Sequence, residues 1–186
     1  MKNTIDLYRA SFAELKKVRV LTLTAMMMAL SVILGYFTLD VGPYLKIGFG
    51  TIVNQFVCCL FGPVVGVIYN GLLDIIKYMV KPTGPFFPGF TLNAMLAGLI
   101  YGTAFYKKKL TFTRVLITEF IVCLVCNVIL NTWMLSFLYG KGFMALLPAR
   151  VLKNAIQCPV NAALFWFIMG RMEKAGLMKE LRKTAE

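Results

Sequence analysis

The sequence predicts an all-α integral membrane protein of six transmembrane helices, and three observations carry that prediction. Several apolar runs approach the roughly 20 residues that a bilayer-crossing helix needs. The 186 residues are 59% hydrophobic and 15% charged, with a mean hydropathy of +0.75, where a soluble domain carries about 25% charged residues. The basic residues gather beside the apolar runs. The chain reads as one membrane domain over residues 1–186: an amphipathic segment at 1–17, a bundle over about 18–170, and a basic tail at 171–186.

In residues 1–17, Ile5, Tyr8, Phe12 and Leu15 recur at helical spacing among Lys2, Arg9, Lys16 and Lys17, which predicts a short helix lying on the membrane surface. No small-residue cleavage site follows, so a signal peptide is not predicted. The first span is predicted over 18–37. Within it Ala25 and Ala29 form a small-xxx-small pair that lets another helix approach closely, either from a partner or from this bundle. Residues 40–46 (DVGPYLK) predict a turn-rich loop, and a second span follows over 49–61, ending at the turn Gly62-Pro63. Span three, 64–80, carries Asn70, Asp74 and Lys77 on one face, continued by Lys81, with Asp74 and Lys77 close enough on a helix to pair. Residues 81–89 (KPTGPFFPG) are a stiff loop. Span four is predicted over 90–106, with Asn93 near its start. Span five, 115–138, carries Asn127, Asn131 and Trp133, and span six runs over 147–170. The tetrapeptide at Gly66 (GVIY) resembles the one at Gly98 (GLIY), a match too short to establish a repeat.

Six spans put both termini on one side. Fourteen of the twenty Lys and Arg residues fall in the N-terminal 19 residues, the loop after span four and the tail, which predicts that this side and both termini are cytoplasmic. The net charge of +12 is explained by that asymmetry without a nucleic-acid partner.

The segment 147–170 sets the chemistry. Arg150, Lys153, Asn154, Gln157 and Asn161 fall on one helical face. A charge at membrane depth costs about 2.5 kcal/mol or more, so two cations within a turn point to an anion held among the helices. The outer ends of spans three to six would add Asp74, Lys77, Asn93, Asn127, Asn131 and Trp133. Amides both donate and accept, arginine forks onto carboxylates, and aromatic faces stack on flat rings. This set suits a planar, hydrogen-bonding anion, while simple helix-to-helix bonding is the competing explanation for each amide.

Other chemistries find little support. All five cysteines lie in apolar stretches, and the Cys123-x-x-Cys126 pair lacks a second ligand pair. Histidine is absent, so neither a metal nor a cofactor is expected, and an enzyme acting on lipid head groups lacks its usual acids and bases. There is no Walker A motif, and the acidic groups within spans are Asp74 and Glu119. An active transporter of this composition would draw energy from an ion gradient or from another subunit; an independent organic-anion carrier is the alternative class.

Residues 82–102 (PTGPFFPGFTLNAMLAGLIYG) resemble the signature of the S-components of energy-coupling-factor (ECF) vitamin transporters, the membrane subunits that bind substrate. Residues 138–154 (LYGKGFMALLPARVLKN) are similar to the folate branch of that family. The resemblance covers nearly the whole chain. It implies an S-component-like bundle in the cell membrane that captures folate outside and docks on a transmembrane coupling subunit with two ATPases. It also implies that Ala25 and Ala29 contact the coupling subunit. Folate has a flat pterin, an aromatic middle and a glutamate tail. The expected site is therefore Arg150 and Lys153 for the carboxylates, with Lys141 or Lys81 helping from the loops. Asn93, Asn131, Asn154 and Asp74 are expected at the polar edge, Trp133 against the rings, and the loops 40–46 and 81–89 as lids.

Overall fold

A computed structural model of the chain describes residues 4–36, 38–40, 46–48, 50–81, 85–108, 110–139, 143–174 and 176. In order these form α1 (Thr4–Glu14), α2 (Val18–Tyr36), the strands β1 (Thr38–Asp40) and β2 (Lys46–Gly48), α3 (Gly50–Val80), α4 (Pro88–Phe105), and α5 (Phe112–Val122). A π-helical segment (Cys123–Leu130), α6 (Asn131–Tyr139) and α7 (Phe143–Lys174) complete them. Among the described residues, four helical stretches are long and apolar enough to cross a bilayer: Val18–Gly35, Gly50–Val80, Phe112–Leu138 and Arg150–Lys174.

The Gly62-Pro63 turn lies where the sequence places it, inside α3. Gly62 adopts φ 89° and ψ −172°, in the left-handed half of backbone space that glycine enters without a Cβ penalty. In an unbroken helix Cys58 and Asn70 would lie about 18 Å apart. Here the Asn70 amide donates to Cys58 Sγ at 3.5 Å, so the chain folds back at Gly62 and α3 is a helical hairpin. Its first arm, residues 50–61, is only about 18 Å long, shorter than the 30 Å or so of hydrocarbon. It is nonetheless buried along most of its length, because the bundle surrounds it.

A break at Gly62-Pro63 frees backbone groups that the bilayer cannot pair. Ser11 of α1 supplies the partner: its hydroxyl donates to Phe61 O at 2.8 Å and accepts from Val64 N at 3.0 Å and Val65 N at 3.4 Å. The expected surface helix is therefore docked on the fold rather than lying free. Its inward position is Ser11, while Phe12, expected on the apolar face, is 57% exposed. The buried hydroxyl meets three backbone groups there, which a phenylalanine ring could not do.

The second arm of α3 packs against α4 backbone to backbone. A Cβ on Gly98 would lie 2.5 Å from Gly66 O, and one on Gly102 would strike the Pro63 backbone, so the two similar tetrapeptides meet in space. Around this contact Val57, Phe61, Leu73, Tyr101, Phe105, Val115, Ala162 and Phe165 form the core. The Phe105 and Phe165 rings stack at 5.3 Å. This filled end of the bundle carries Gly62, and the opposite end carries the strands. There the two ends of the expected loop over 40–46 belong to an antiparallel ribbon that pairs Thr38 with Gly48, Leu39 with Ile47 and Asp40 with Lys46. Residues 41–45 of that proposed lid, and 82–84 of the other, lie outside the described residues. The expected span 115–138 also differs, since its middle is a π-helix, a form that often marks functional positions.

Replacing Ser11 by alanine leaves a carbonyl and two amides at the kink without this partner. The expected cost is about 1–3 kcal/mol, read as a lowered midpoint in thermal unfolding of the detergent-solubilised chain; a variant as stable as the wild type would show that the kink needs no side-chain partner.

Candidate ligand-binding site

The polar face of α7 is inward, as its spacing predicts. Asn154, Cys158, Asn161, Ala162 and Phe165 are buried, Arg150, Lys153 and Gln157 flank them half-buried, and Leu152, Ala155 and Phe167 are exposed on the other side. Asn154 is partly engaged within its own helix, donating to Arg150 O at 2.9 Å. Cys123 Sγ approaches its carbonyl at 3.8 Å from the π segment. The Asn161 side-chain oxygen is buried without a partner.

Toward the strand end, Asp74, Lys77, Asn93, Asn127 and Asn131 are all half-buried, as are Arg150, Lys153 and Gln157. Eight polar side chains on α3, α4, the π segment, α6 and α7 share this intermediate burial, a polar band in the strand-end half of the bundle. Two contacts hold it in shape. Thr91 donates to Asp74 Oδ2 at 2.8 Å, tying α4 to α3. Asn93 Nδ2 donates to Cys126 O at 3.0 Å, tying α4 to the π segment. The Asn131 amide also donates to Cys126 O, five residues back, which is the π-helical bond itself. Asn93 Oδ1 is left buried and unpaired, as is Thr132 Oγ1. Both are acceptors that an incoming donor could satisfy.

The pairing expected between Asp74 and Lys77 is not made: among the described residues no ion pair joins them, because Asp74 turns to Thr91. Lys77 instead reaches the start of α3, where a Cβ on Gly50 would lie 3.3 Å from its Nζ and from Ser31 Oγ. Trp133 is 61% exposed, at the rim of the band rather than inside it. Lys141 lies outside the described residues. Ala25 and Ala29 are exposed along α2, beside Leu21, Met26, Leu30 and Ile33. Spacing did not point to Thr91 or the Cys126 carbonyl, since each matters through a neighbour on another helix. A cavity of about 370 Å³ opens elsewhere, between α2, the first arm of α3 and α7. Met27, Leu30, Phe56, Phe165 and Met169 are among its apolar lining, which offers a polar ligand nothing to bond.

The profile of the family described as "ECF transporter, substrate-specific component" matches residues 19–169. The folate transporter FolT of Clostridium novyi (strain NT) is 33% identical over 169 residues, 91% of this chain and 98% of that protein. The folate transporter FolT of Leuconostoc mesenteroides is 31% identical over 81% of this chain and 84% of its own length. Among solved structures, a crystal structure of FolT bound with folic acid superposes with a TM-score of 0.76 at 30% identity, covering 83% of this chain and 95% of that one.

Interhelical side-chain bonds in membranes average about 0.6 kcal/mol. Asn93→Ala is therefore expected to lower stability by less than about 1 kcal/mol, measured by thermal unfolding; a loss several times larger would mean that Asn93 holds the π segment in place.

Proposed function

We propose that this chain, which belongs to the family of ECF transporter substrate-specific components, captures folate in the polar band at the strand end of the bundle. The observation that carries this reading is similarity along nearly the whole chain to proteins named as folate transporters, joined to the fold of one solved with folic acid bound. The chemistry of the band agrees with it. Arg150 and Lys153 attract the glutamate carboxylates, helped by Lys141 or Lys81. Asn93, Asn131 and Asn154 exchange hydrogen bonds with the pterin edge, Asp74 accepts from its N–H groups, and Trp133 offers an aromatic face at the rim.

In this reading residues 1–186 are a single membrane domain that crosses the plasma membrane six times. The two arms of α3 count as separate crossings, the strand end faces outward and both termini are cytoplasmic. The Lys and Arg asymmetry of the sequence supports that orientation. The chain is a binding subunit rather than an enzyme, and energy for release inward comes from a coupling subunit and two ATPases. Exposed Ala25 and Ala29 support α2 as the face that meets the coupling subunit, since small residues let another helix come close.

The decisive experiment is calorimetric titration of folate into the purified chain, with riboflavin and thiamine as controls. One folate site per chain and no response to the controls is expected; a folded sample that ignores folate would end the proposal. Arg150→Ala is expected to weaken folate binding tenfold or more, because a charge-assisted hydrogen bond is worth about 1.5–3 kcal/mol. Unchanged affinity would remove Arg150 from the site. In liposomes the chain alone is expected not to move folate, and uptake without the ATPases would instead mean an independent carrier.

A further inference from the structure

The first arm of α3, α4 and α5 meet at a polar cluster that the ligand site does not use. Glu119 of α5 is 4% exposed, and both of its carboxyl oxygens are engaged. Gln55 Nε2 donates to Oε1 at 2.6 Å, and Tyr101 Oη is bonded to Oε2. Gln55 is fully buried, and its own oxygen has no partner.

Two features of this cluster point the same way. It is poor in donors: the Gln55 amide and one tyrosine hydroxyl face four lone-pair sites on a carboxylate and two on the Gln55 oxygen. Among the described residues it also lacks a cation. There Glu119 makes no ion pair, and the titratable side chains close to the carboxyl are Tyr101 of α4, Cys123 of the π segment and Cys158 of α7, with Cys58 of α3 next to Tyr101. All of these are neutral acids. Arg114, on the same helix as Glu119, is exposed. A carboxylate here would be a buried charge with only neutral partners, a costly state in a protein interior and more so in a bilayer.

We propose that the Gln55–Tyr101–Glu119 cluster is a proton-binding site in which Glu119 is held as the neutral acid at neutral pH. The proton is the donor that the cluster lacks. It lies between Oε1 and the Gln55 oxygen once that amide is turned over, an exchange of N and O that leaves the side-chain shape unchanged, while Tyr101 donates to Oε2. The three helices are then joined by a neutral hydrogen-bonded link. The site stands apart from the polar band and does not depend on which ligand the band holds.

The test is infrared spectroscopy of the full chain in detergent at neutral pH, wild type minus E119Q. The expected difference is the carbonyl band of a protonated carboxyl in the wild type; a carboxylate band in its place would overturn the proposal. Because glutamine copies the neutral acid in shape, E119Q is expected to fold, and its failure to do so would also overturn it. Tyr101→Phe keeps the ring in the core and removes one hydrogen-bond partner, so the carboxyl band should shift, and an unmoved band would contradict its assignment to this cluster. Stability gives an independent reading. The folded chain would hold one proton more than the unfolded chain at this residue, so wild-type stability should fall relative to E119Q as pH rises above the ordinary glutamate range. The opposite slope, or none, would count against the site.

Discussion

A bilayer supplies no water to a freed backbone group, and this chain frees such groups where α3 breaks. At Gly62-Pro63 the helix breaks and folds back, and Ser11 bonds to a carbonyl and two amides there. At the π segment the Cys126 carbonyl is shared by the Asn131 amide and the Asn93 side chain. The first steadies the fold-back that lays the two arms of α3 side by side; the second links α4 to the segment that carries Asn127 and leads into Asn131.

The two ends of the bundle are built on different principles. At the kink end, glycines bring α3 and α4 into backbone contact and the Phe105 and Phe165 rings stack beside it, while an apolar cavity that Phe165 also lines stays open. At the strand end many side chains are polar and half-buried, and two acceptors, Asn93 Oδ1 and Thr132 Oγ1, lack partners. In the proposed site a flat anion would complete the hydrogen bonds of this mouth.

Features set by local pattern were legible in the sequence. The apolar runs located the long helices. The Gly-Pro pair located the turn in α3, and 3.6-residue spacing put Asn154 and Asn161 on the buried side of α7, although Ala162 and Phe165, read as lying off that face, are buried with them. What spacing could not reveal depends on partners far along the chain. Ser11 looks like any polar residue of a surface helix, yet it is buried against Phe61, fifty positions later. Asp74 was expected to pair with Lys77 one turn away, but Thr91 on another helix takes it. The π segment has no compositional signature separating it from the α-helical turns around it. The ligand class was visible as "planar anion" from residue types alone; the vitamin itself came from family resemblance.

The span between Ser11 and the kink also bears on the order of assembly. The ribosome makes α1 some fifty residues before the segment it clasps, so through that interval Ser11 has nothing to hold. The first arm of α3, at about 18 Å, is too short to be a stable insert by itself. It is best accommodated when the second arm follows it into the bilayer as one hairpin. Ser11 can then close a loop of fifty residues, at an entropic cost that grows only with the logarithm of loop length. Docking of α1 thus waits on the α3 hairpin, although α1 precedes it in the chain.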